Sequence, residues 1–176
     1  MKKAFLLLTS LTFVVIILLT IYMASTGARR FSDMFQSKSR YAYFAMQKPS
    51  PSLSARKVVE IQLLAIRHNN RLEEGIWNAF RFTSMYASNQ RKGYKEFIEM
   101  IHSDKYKALL NFRHMHAQST DYYRNKAFQM VTLTDAAGKK TTYLFELSLY
   151  SLEPARGCWL VTNIRKISDT HGFYVI

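Results

Sequence analysis

His114 and His116 flank Met115 in a stretch of alternating apolar residues, so on a strand both imidazoles fall on one face. Two imidazoles at that spacing supply half of a zinc ligand set. No further ligand stands near them in the chain and Phe112 shares their face, which makes ordinary strand histidines the plainer reading. Cys158, the single cysteine, lies between Gly157 and Trp159. A thiol becomes a nucleophile when a neighbouring base activates it. None is readable here, and a small buried residue is the simpler account. Gln62 interrupts the apolar stripe of a helical segment, where an amide must find a partner: a pocket ligand, a neighbouring backbone group or Trp159. Trp77, Tyr143 and Trp159 complete the candidate pocket, each also at a spacing typical of core aromatics.

Acid–base chemistry needs a carboxylate or histidine held in a cleft. Glu73, Glu74, Glu96, Glu99, Asp104, Asp121, Asp135 and Glu153 fall at surface positions, and Glu146 alternates away from its strand's main apolar face. There is no glycine-rich phosphate loop, paired-cysteine zinc motif or nucleophile elbow in the sequence. The residues therefore predict no catalytic group, no metal and no cofactor. They favour a binding or assembly role in the cell envelope; the alternative is an isomerase- or hydrolase-type enzyme using an internal cavity.

These residues need a scaffold, and hydrophobic periodicity outlines one. Pro49 and Pro51 break any preceding helix. Ser52 or Ser54 can cap a helix bearing Val58, Val59, Gln62, Leu63, Ala65 and Ile66. A second helix is predicted over 72–84, a third over 94–102, and another turn or two over 105–110. After Asn111 the period changes to alternation, predicting strands at 112–119, 125–134, 141–151 and 158–167 with turns at 135–138 and 153–157. Helices followed by consecutive antiparallel strands predict an α+β domain, about three helices on a curved four-stranded antiparallel sheet. Tyr143, Phe145, Leu147 and Leu149 share one face. The second and fourth strands carry large apolar residues on both faces: Phe128 and Met130 against Val131 and Leu133, and Leu160 and Ile164 against Trp159 and Val161. The face away from the helices is thus expected to be covered, by a homodimer, by another protein partner or by residues 31–47.

Ahead of this domain, residues 4–24 are uncharged and mostly apolar, as long as a bilayer-spanning helix of about 20 residues. Lys2 and Lys3 precede them. The run is longer than a secretory h-region and the site at 25–28 is a poor cleavage site, which favours an uncleaved signal anchor over a cleaved signal. The signal-like order places the domain on the non-cytoplasmic side, while Arg29, Arg30, Lys38 and Arg40 weigh the other way. The divisions are an anchor over 1–28, a juxtamembrane linker over 29–51 and the domain over 52–176. The formal charge is +13, and residues 29–57 hold seven bases against Asp33 alone. Such a stretch suits either anionic lipid headgroups or a solvated linker. With no nucleic-acid motif and a mildly basic domain, a nucleic-acid partner is not expected.

The order of several short pieces resembles domain-of-unknown-function family 4864. They are 59–65 (VEIQLLA), Asn69-Asn70, Gly75-Ile76 with Ala79 and Phe82, Phe97 with Met100, Tyr106 with 109–111 (LLN), Tyr143 with Phe145, and Gly157-Cys158-Trp159. The resemblance covers about two thirds of the chain. Asn69-Asn70 stands where that family often has Asn-Asp, so an acidic role there does not carry over. What the resemblance implies is a cone-like fold of the nuclear-transport-factor-two type; it brings no activity and no catalytic residues.

Overall fold

The computed structural model describes residues 47–167. The anchor segment, residues 31–46 as one candidate cover for the sheet, and most of the linker lie outside these residues. Among the described residues no helix is long and apolar enough to cross a membrane. Among the described residues five helices pack on one four-stranded sheet: α1 (Ala55–Arg67), α2 (Glu74–Phe80), α3 (Ser84–Ser88), α4 (Gln90–His102), α5 (Ala108–Asn111), then β1 (His114–Tyr123), β2 (Lys126–Thr134), β3 (Lys140–Leu149) and β4 (Trp159–Ile167). The sheet is an antiparallel meander in chain order. This is the α+β arrangement expected, with five helices rather than about three.

The additional helices follow from caps. Ser54 starts α1 by accepting from the Lys57 amide at 3.3 Å. The stretch read as one helix over 72–84 stops at Phe80, because Phe82 and Thr83 leave it to meet the sheet. Val161 N–H donates to the Phe82 carbonyl at 2.8 Å, and Thr83 bridges Val161 in parallel. The Thr83 hydroxyl then caps α3 through the Tyr86 amide. Asn89 caps α4 through Lys92, so that helix begins four residues before the expected Tyr94. Side-chain acceptors at N-caps satisfy amides that a helix start leaves orphaned. At the α1–α2 corner Gly75 is required by proximity. A Cβ there would run into the Ala65 carbonyl and come within 2.6 Å of the Asn69 Cα.

One sheet face meets the helices. Val131 and Leu133 of β2, Tyr143, Phe145 and Leu147 of β3, and Val161 and Ile164 of β4 are buried there with Val59, Ile66, Phe80, Phe97 and Leu109. β4 corrects one sequence assignment, since Ile164 lies with Val161 and not opposite it. The β3–β4 register slips between Glu146 and Leu147, so Thr162 is an extra residue and the alternation inverts across it. Trp159 pairs with Leu149 and so follows Val161 on the helix-bearing side, not the outer face. Two buried tyrosines fasten the turn between α4 and α5 to the sheet. Tyr143 donates to the Lys105 carbonyl at 2.8 Å and Tyr106 to the Ile164 carbonyl at 2.7 Å, their rings stacked.

Candidate functional site

A second register slip shapes the site. β1 and β2 lose step between Ala117 and Thr120, where Gln118 and Ser119 stand opposite Met130 alone, one extra residue on β1. Such a bulge bends a strand and strips backbone groups of their ladder partners. The buried side chain of Gln129 meets the deficit. Its Nε2 donates to the Gln118 carbonyl at 2.7 Å and its Oε1 accepts from the Thr120 hydroxyl. Between this edge of the sheet and α1 opens a cleft of about 200 Å³, lined by Arg56, Val59, Glu60, Leu63, Met115, Ala117, Gln129 and Val131.

Helical spacing distributes its chemistry. Val59 and Leu63 stand one turn apart and form the apolar wall from α1; Arg56 and Glu60, likewise one turn apart, lie on the adjoining line that reaches solvent. Glu60 is held by Lys57 at 3.1 Å, half exposed on both sides. Arg56 has no ion-pair partner among the described residues. The cleft thus offers an apolar wall, an amide already committed to the bulge, a carboxylate held by Lys57, and a guanidinium at the rim without an ion-pair partner among the described residues. This arrangement suits a small molecule with an apolar body and an anionic end.

The six residues singled out from sequence do not line this cleft. Gln62 is buried between α1 and α2, its Nε2 donating to the Ala79 carbonyl at 3.1 Å, and its Oε1 has no partner. Tyr143 lies in the core with its edge reaching a polar cleft beside Lys107, Asp135 and Lys166. Burial, with a smaller contribution from Tyr106, pushes its hydroxyl up to about 12. Trp77 is on the outer side of α2, and Trp159 is half-buried beside Tyr122 at 5.7 Å. His114 and His116 pair with Thr134 and Thr132 at exposed positions, on the alternation opposite to Met115 and Ala117, which line the cleft. No group of three metal-ligating side chains occurs among the described residues. Cys158 is buried, and burial followed by the charge of Glu153 raises its thiol, the wrong direction for a nucleophile.

Sequence reasoning missed Arg56, Glu60 and Gln129. The two on α1 carry a readable signal, since each stands one position beyond or before the apolar stripe. Gln129 does not, because the bulge that it serves is a property of pairing. A polar cluster at the α1–α2 corner was also unforeseen. Glu73, in left-handed conformation at φ 58°, accepts from Asn69 at 2.6 Å and pairs with His102 at 3.1 Å. Comparison of the chain with family models, with curated proteins and with solved structures finds no match.

Proposed function

We propose that this is a single-pass membrane-anchored protein whose domain, on the non-cytoplasmic side of the envelope, binds and does not catalyse. Its ligand is a small amphipathic anion held between α1 and the β1–β2 edge. The observation that carries the binding half is the cleft itself, with apolar walls from Val59, Leu63, Met115 and Val131 and, at the rim, Arg56, which has no ion-pair partner among the described residues. The uncharged run at 4–24 supports attachment. The cone-like plan implied by the family resemblance is part of this proposal, supported by helices preceding a four-stranded meander. A homodimer or protein partner on the outer sheet face is also proposed, through the half-buried Phe128, Met130 and Leu144.

Octanoate tests the ligand class. Titrated calorimetrically into the full chain in nanodiscs, with empty nanodiscs as blank, it should bind saturably. Arg56→Gln should weaken binding about fivefold, the worth of one exposed ion pair at about 1 kcal/mol. Ala117→Trp, which fills the cleft, should abolish it. Heats unchanged by Ala117→Trp would refute the site. The enzyme alternative has one observation in its favour, Glu60 in the same cleft. It would require turnover of a small ester or enol that Glu60→Gln removes while octanoate still binds.

A further inference from the structure

Trp77 is 38% exposed although its ring meets Tyr94 edge-on at 4.8 Å and Tyr86 at 6.1 Å. The Tyr94 hydroxyl reaches back to the carbonyl of Glu73, beside Leu72, which is 78% exposed. Half-buried Trp and Tyr, apolar in body and polar at the tip, are the side chains that settle between lipid headgroups and acyl chains. Arg81 follows Trp77 by one helical turn and so lies on the same side. A cleft of about 230 Å³ then joins Arg81 and Tyr86 to Lys48 and Pro49, with Pro154 and Leu160 behind them. Tyr86 belongs both to the aromatic cluster and to this basic cleft, which makes them one surface. Neither Lys48 nor Arg81 has an ion-pair partner among the described residues. Lys48 also belongs to the basic stretch over 29–57 that follows the 4–24 run.

We infer that this surface, with Leu72, Trp77, Tyr86 and Tyr94 beside Arg81 and Lys48, docks on an anionic bilayer, the rings at the interface and the two bases on headgroup phosphates. The inference rests on the membrane attachment proposed above. Few contacts are needed, because a tether converts docking into an intramolecular event at high effective concentration.

The chain's two tryptophans supply the test. The full chain is reconstituted into vesicles of phosphatidylglycerol and brominated phosphatidylcholine. Trp159→Phe leaves Trp77 as reporter, and Trp77→Phe leaves Trp159. Acyl-chain bromines should lower Trp77 emission roughly twofold, as for side chains seated at the headgroup boundary, and leave Trp159 nearly unchanged. Replacing phosphatidylglycerol by phosphatidylcholine, adding about 0.5 M salt, or substituting Arg81→Glu or Lys48→Glu should relieve the quenching. Both charge substitutions are at the surface and keep both tryptophans, so their effect reads without a change in the core. Flotation separates attachment from docking. A chain that floats only with anionic vesicles, Trp77 quenched, supports docking and removes the anchor. A chain that floats with both, Trp77 no more quenched than Trp159, overturns the inference, and is also what an acidic protein partner on this surface would give.

Discussion

Tyr143 is a core residue with one ionisable atom, and that atom makes a pH dependence testable. Its hydroxyl donates to the Lys105 carbonyl and is desolvated by burial, with a smaller contribution from Tyr106, so the protonated form is favoured on folding, its pKa pushed up to about 12. A group whose folded pKa exceeds its unfolded value stabilises fully below the unfolded one, about 10 for tyrosine, and loses that contribution as pH rises toward the folded value. Tyr143→Phe should therefore cost about 1 kcal/mol at pH 8, the net worth of one hydrogen bond. The deficit relative to the parent should shrink between pH 10 and 12. Urea midpoints of both proteins across that range check this, and a deficit constant to pH 11.5 would contradict it. At this scale the sequence was partly legible. Gln62 stood out because it breaks an apolar stripe, and it is indeed buried with half its amide unsatisfied. Gln129, equally buried, hid in a strand with large side chains on both faces.

Elements were legible where periodicity runs long and blurred where a cap or bulge decides. The strand positions over 126–134 and 140–149 agree with the alternation to within a residue or two at the ends. Thr83 and Asn89 are cap residues by type, yet each stands inside or beside a plausible continuation, so only the sheet's hold on Phe82 and Thr83 shows why α2 ends early. The α1–α2 corner yields the prediction for this scale. Gly75 has no room for a side chain against α1, and the obstructing atoms are backbone, which cannot swing aside. Gly75→Ala should separate the two helices and destabilise the domain by about 3 kcal/mol, the upper range for overpacking. Alanine's better helix propensity, about 1 kcal/mol, opposes this and does not offset it. A thermal melt checks it, and an unchanged or raised midpoint would show that the corner can open freely.

For the molecule as a whole, composition and order gave the α+β class, while the candidate site depended on the β1–β2 register slip, which no single-sequence pattern encodes. The domain boundary is where the two levels differ most usefully. The helical pattern alone starts the domain at residue 52. In the structure Lys48 and Pro49 line a cleft with Pro154 and Leu160, and Pro51 stands close to Gly157, where the chain turns with φ 77° before β4. The residues before the first cap thus pack against the β3–β4 loop, the one long connection in the sheet. Covering part of the half-buried Pro49 ring there is worth about 1 kcal/mol. A fragment of residues 47–176 should fold cooperatively without what precedes it. A fragment of residues 52–176 should fold too, but melt about 4 °C lower, the shift that 1 kcal/mol produces in a domain of this size. Circular dichroism melts of the two fragments side by side decide it. Equal midpoints would mean that residues 47–51 are linker and place the boundary at the helix cap; an unfolded 47–176 fragment would mean that the domain depends on the residues before it.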